Sequence, residues 1–205
     1  MPLPAPLAIG FLASHGGSNM QAILDAIAAG ALPAEPRIVI CNNSGARALE
    51  RARAAGVPGL HLSAAALGSE EALDRAMLEA LRGHGVGLVV CAGYMRKVGP
   101  RVLAAYVRRV LNIHPALLPR HGGKGMYGIR VHEAVLAAGE RETGVTVHLV
   151  DEVYDHGPIV AQARVPVQPG DTPEALQARV LQTEHRLYPE TLRRIALGEI
   201  DLDAL

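Results

Sequence analysis

The run Val110-Leu111-Asn112-Ile113-His114-Pro115 is an apolar, β-branched stretch with two polar residues near its end, the pattern of a buried strand finishing at a loop. Side chains alternate across a strand, so Asn112 and His114, two apart, share a face. Pro115 has no N–H to give a ladder and disfavours helical geometry at His114, which ends the strand there. An amide donor beside an imidazole suits holding and protonating an oxygen that turns negative as a carbonyl is attacked. The plainer alternative is a strand end whose polar groups hydrogen-bond the following loop.

The elements around this pair alternate between strand and helix. Leu7 to Ala13 reads as a first strand, followed by Ser14-His15-Gly16-Gly17-Ser18-Asn19 and a helix from Met20 to Ala29. A glycine-rich turn before a helix presents free N–H groups and the positive end of the helix dipole, which is an anion site or simply a capped turn. It is neither Gly-x-Gly-x-x-Gly nor a P-loop, so dinucleotide and ATP binding are not favoured. Strands follow at Arg37 to Cys41, near Gly59 to Leu62 and at Gly87 to Cys91, with helices at Ala46 to Ala55 and Ser69 to Leu81. This alternation indicates a parallel sheet with helices on both faces, an α/β fold in which ligands bind beyond the carboxyl ends of the strands.

The turn Ala92-Gly93-Tyr94-Met95-Arg96-Lys97-Val98 lies at that same edge, and its apolar and cationic mixture suits either a flat heterocycle or a plain core. Arg120 to Gly128 has four glycines in nine residues, a lid over a site or a passive connection, with His121 and Lys124 as candidate substrate contacts. Ile129 to Ala138 is helical, and His132 is expected on its surface. Thr146 to Val150 and Ile159 to Val165 are strands joined by a return short enough to favour an antiparallel hairpin. Four acidic or histidine residues in that return, Asp151, Glu152, Asp155 and His156, suggest a metal site or ordinary turn chemistry. Asp171-Thr172-Pro173-Glu174 opens a last helix with a capping-box-like signal, and Leu176, Val180 and Leu181 form its apolar stripe.

A chain of 205 residues fits one domain, spanning 1–205, with a sizeable core. Twenty Lys and Arg against twenty Asp and Glu, with no long run of either sign, argue against a nucleic-acid or membrane-surface binder. Cys41 and Cys91 sit in apolar surroundings and read as core residues of a reducing compartment. The start, Met1-Pro2-Leu3-Pro4, lacks the basic and apolar regions of a signal peptide, so a cytoplasmic location is expected.

Asn112-Ile113-His114-Pro115 with Leu117-Leu118-Pro119, and later Asp155-His156-Gly157-Pro158, resemble the paired signatures of the folate-dependent formyltransferases. Gly17-Ser18-Asn19 narrows the resemblance to the glycinamide ribonucleotide branch, over about Leu7 to Leu197. The resemblance implies an open, mostly parallel Rossmann-like sheet with an antiparallel addition near the C-terminus. It implies transfer of a formyl group from the co-substrate 10-formyltetrahydrofolate to the amine of glycinamide ribonucleotide, with no metal. By that resemblance Asn112, protonated His114 and Asp155 are catalytic, and His148 supports the aspartate or the active-site water. Gly17, Ser18 and Asn19 grip the substrate phosphate, Glu184 contacts the ribose, and Met95, Arg96, Lys97 and Val98 wall the pterin, with Asn112 also touching the folate. Small-molecule partners alone are implied, with no nucleic acid or membrane, in a monomer or homodimer. One departure is Glu70, where some members carry an arginine that contacts the folate.

Three rivals remain at this stage. A formyltetrahydrofolate hydrolase uses the same site with water and usually carries an amino-terminal regulatory domain, which is not expected here. Methionyl-tRNA formyltransferase adds a carboxyl-terminal domain and more basic charge. A non-catalytic Rossmann module explains a phosphate loop but not Asn112, His114 and Asp155 together.

Overall fold

The computed structural model describes residues 6–205, so the Met1–Pro4 start lies outside the described residues. One sheet is built from β1 (Leu7–Ala13), β2 (Ala34–Cys41), β3 (Gly59–His61), β4 (Leu88–Cys91), β5 (Val110–His114), β6 (Glu142–Leu149) and β7 (Ile159–Pro166). Their order is β3-β2-β1-β4-β5-β6-β7. The first five are parallel; β6 runs antiparallel to β5, and β7 antiparallel to β6.

The chain turns outward in both directions from β1, whose neighbours are β2 and β4, so the loops after β1 and β4 part at a switch point. Their divergence is bridged by two hydrogen bonds, Ser14 N–H to the Gly93 carbonyl (3.1 Å) and Met95 N–H to Ser14 Oγ (2.7 Å).

Helices α1 (Ser18–Ala28), α2 (Arg47–Ala54), α6 (Ile129–Ala137) and α7 (Pro173–Ala196) contribute to one core; α4 (Glu70–Gly83) and α5 (Pro100–Ala105) contribute to a second on the other face. A single turn, α3 (Ala64–Leu67), precedes α4. Strand alternation sorts the side chains between these cores. Leu7, Ile9, Phe11 and Ala13 of β1 join the first, and Leu12 the second. In β5, Leu111 and Ile113 join the first core and Val110 the second. Asn112 and His114 therefore follow Val110 onto the second face, beyond the reach of the short α5.

The observed bounds differ from the expected ones where pairing or packing recruits unpromising residues. β2 starts at Ala34 because the edge of β1 pairs with it from Leu7 onward. β6 starts at Glu142 because β7 pairs with it along its whole length, even at Gly144 opposite Arg164. α7 runs through Pro189, which costs an interior helix about 3 kcal/mol. Leu176, Val180, Tyr188, Leu192 and Ile195 are all buried along that helix, and burying such side chains at roughly 1.5–3 kcal/mol each outweighs the loss. α7 stops at Ala196, where Gly198 takes a positive φ of 73° and donates back to the Ile195 carbonyl.

Candidate active site

Asn112 and His114 stand where expected, side by side at the carboxyl end of β5, opposite His148 and Thr146 of β6. They open into a cleft of about 700 Å³ between the sheet edge, the loop after β4, the glycine-rich segment before α6, the turn before β7, and α7. Asn112 Nδ2 lies 3.1 Å from His148 Nε2. The His148 ring is fixed from its other side, Nδ1 donating to the Leu149 carbonyl at 2.9 Å, so Nε2 is free to accept. An amide nitrogen carries two hydrogens; one goes to His148 and the other remains for the cleft that Asn112 lines.

His114 is buried, and its Nε2 is 2.8 Å from the carbonyl of His121. A carbonyl only accepts, so the hydrogen sits on Nε2. Nδ1 then faces Asp155 Oδ2 at 3.5 Å, too far for a normal hydrogen bond. Burial pulls the His114 pKa below its ordinary 6.5, and the Asp155 charge and the His121 carbonyl push back without overcoming it. The protonated His114 expected from the resemblance is thus disfavoured at rest; desolvation outweighs the aspartate.

Asp155 comes to the pair from the turn before β7. Burial alone would raise its pKa, but the His148 ring 3.5 Å away, the nearby His114 and the Gly123 N–H (2.9 Å) together hold it below 3.8, so it is a carboxylate. Its φ of 55° is unusual for a residue with a side chain. Gly157, two residues on, has no alternative: a Cβ there would run into the Leu149 carbonyl. The Asp-x-Gly-Pro spacing is therefore set by how closely this turn passes the end of β6. Asp151 is used locally, accepting from the Val153 N–H (2.7 Å) and meeting His156 Nδ1 at 2.9 Å, which is turn chemistry. Among the described residues, no cluster of three His, Cys, Asp or Glu has the arrangement of a metal site.

The other expected site residues divide. Asn19 is buried, lines the cleft and donates from Nδ2 to Glu184 Oε2 at 2.6 Å. Glu184 is 7% exposed rather than a surface glutamate. Gly17 caps α1 with a φ of 66°, and a Cβ there would press on Ala48 Cβ at 3.0 Å. Gly17 and Ser18 do not line the cleft as it stands. Of the expected pterin wall, Met95 lines the cleft together with Gly93 and Tyr94, whereas Val98 is buried in the second core and Arg96 and Lys97 point to solvent. Glu70 begins α4, capped by Ser69, and is not part of the cleft.

His132 corrects the sequence reading: it is 1% exposed and lines the cleft, and burial, with His114 nearby, lowers its pKa to about 4. Its spacing to buried Val135, three residues on, was the available signal, since i and i+3 share a helix face. His121 touches His114 through its backbone, while its ring lies 3.5 Å from Glu140. Met126 and Tyr127 of the glycine-rich segment, and Tyr154 beside Asp155, also line the cleft; nothing in their local pattern marked them.

Burial raises the Glu184 pKa from 4.5 to about 7, against the Asn19 hydrogen bond. An acid whose folded pKa is raised binds a proton in the folded state that the unfolded chain has released. Its contribution to stability is therefore lost as pH rises from about 4.5 to about 7, and stays lost above. Glu184→Gln, neutral throughout, is expected to gain on the wild type by a few kcal/mol across that window, seen in denaturant midpoints at pH 4.5 and 8. An unchanged difference between the two pH values would show that Glu184 is not buried as a carboxylate.

These loops and strand ends define a class. The chain belongs to the formyl transferase family, whose sequence model matches residues 7–192. Within that class it is similar to particular enzymes. It is 39% identical over 191 residues to the phosphoribosylglycinamide formyltransferase of Escherichia coli, covering 93% of this chain and 88% of that one. The chloroplastic phosphoribosylglycinamide formyltransferase of Arabidopsis thaliana is 42% identical over 183 residues, 89% of this chain; the chain spans 63% of that protein's length. The crystal structure of glycinamide ribonucleotide transformylase 1 from Symbiobacterium toebii matches with a TM-score of 0.88 at 46% identity, covering 94% of this chain and 88% of that one. The open sheet, parallel but for its last strands, is the Rossmann-like fold expected from the sequence.

Proposed function

We propose that the protein transfers the formyl group of 10-formyltetrahydrofolate to the amine of 5-phosphoribosylglycinamide, a step of de novo purine synthesis in the cytoplasm. The observation that carries this reading is the meeting of Asn112, His114 and Asp155 at one cleft in a chain of this family. Among the described residues no helix is long and apolar enough to cross a membrane.

The amine attacks the formyl carbon and gives a tetrahedral adduct with an anionic oxygen and a cationic nitrogen. The spare N–H of Asn112 donates to that oxygen. His114 uses Nδ1, the nitrogen that no backbone group occupies. One proton leaves the attacking nitrogen and one reaches N10 of the folate as the C–N10 bond breaks. His114, neutral at rest, takes a proton during this exchange, and the Asp155 carboxylate favours the imidazolium so formed. Met95 with its neighbours walls the pterin, the Gly17-Ser18-Asn19 turn receives the phosphate, and Glu184 meets the ribose. The scheme calls on no metal ion.

The test is deformylation of 10-formyltetrahydrofolate with and without the ribonucleotide. Turnover that requires the ribonucleotide supports the transferase. Equal turnover without it makes the protein a hydrolase, and none in either case, with the protein folded, rejects both.

A further inference from the structure

Two anions must share the cleft if the proposed reaction is right: the ribonucleotide phosphate and the folate's glutamate carboxylates. Yet the wall formed by α1 and α7 offers Asn19, Glu174, Gln177, Leu181 and Glu184, with no cation among them. The Asn19 amide already donates to Glu184. Apart from histidines, the cations lining the cleft are Lys124 and Arg130, both across from that wall.

The two are not equivalent. Both are exposed, but Lys124 stands between Gly123 and Gly125, each at positive φ. Arg130 lies in the first turn of α6, which packs along α7, and its guanidinium carbon sits 5.2 Å from the centroid of the Tyr127 ring. Stacking engages the face of a guanidinium and leaves its N–H edge free, the edge that grips phosphate in a bidentate manner. Among the described residues no carboxylate pairs with Arg130.

We propose that Arg130 is the cation that binds the phosphate of the ribonucleotide substrate, its face held by Tyr127 and its edge given to the phosphate oxygens. This rests on the activity proposed above and adds a residue to it. The phosphate is then held between the amide turn at α1 and the end of the lid.

The experiment compares wild type, Arg130→Ala, Arg130→Lys and Lys124→Ala on the ribonucleotide and on its dephosphorylated riboside. Arg130→Ala is expected to raise KM for the ribonucleotide by about 10- to 100-fold, the scale of a lost charge-assisted contact, with kcat and the folate KM little changed. On the riboside, wild type and Arg130→Ala behave alike, and Arg130→Lys recovers part of the loss on the ribonucleotide. Equal losses on both substrates, or a phosphate-dependent loss in Lys124→Ala instead, overturn the assignment. Calorimetry with ribose 5-phosphate separates it from the activity. Binding by wild type and not by Arg130→Ala upholds the site even without turnover, and equal binding by both rejects it.

Discussion

His114→Ala is expected to fold and to bind both proposed substrates but to lose about a thousandfold in kcat, the range of a positioned acid–base group that also stabilises an oxyanion. The His114 side chain makes no hydrogen bond that holds β5 to its neighbours; its one close partner is the His121 carbonyl of the glycine-rich segment. The space vacated adjoins the cleft, so water fills it and the carbonyl keeps a partner. The fall belongs in kcat with KM nearly constant, because the group serves the adduct and not the resting substrates. Single-turnover formyl transfer in the variant measures it. A variant that keeps a tenth or more of the wild-type rate would remove His114 from the reaction.

Asp155→Asn is expected to cost about a hundredfold or more while changing the backbone little. Asparagine tolerates the positive φ of 55° at this position, and its carbonyl still accepts from the Gly123 N–H. What disappears is the negative charge. Asp155 is the main influence raising the His114 pKa against burial, so in the variant that pKa falls further below 6.5. Any activity or imaging signal that follows His114 protonation shifts to lower pH, and NMR of the ring reads this directly. If the His114 titration stays in place while the rate falls, Asp155 acts on the proton transfer alone and not through the imidazolium.

The strand carrying Asn112 and His114 was readable because proline and alternation fix both its end and its face. The β7 start was also plain, since it follows a clear turn. Other features depended on partners far away in the chain. Glu184 is a surface residue by any local rule, and only the docking of α7 onto α1 buries it against Asn19, 165 residues earlier. The extra residues of β6 are strand because β7 pairs with them. His132 follows a helical stripe that its own type disguised. The loop after β4 mixed core and site residues at neighbouring positions, and no periodicity separates Val98 from Met95 in a segment without regular structure.

Tyr188 accounts for the rigidity of this arrangement. Its buried hydroxyl reaches the carbonyls of Cys91 (3.2 Å) and Leu111 (3.1 Å), the residues just before the β4 loop and just before Asn112. One helical turn earlier, the same helix carries Glu184. α7 follows every strand in chain order, so during synthesis the sheet can be laid down while the tips of β4 and β5 are still untied. A chain emerging from the ribosome presents Asn112 and His114 before it presents the α7 wall of the cleft. The cleft has its full lining only once this last helix is in place.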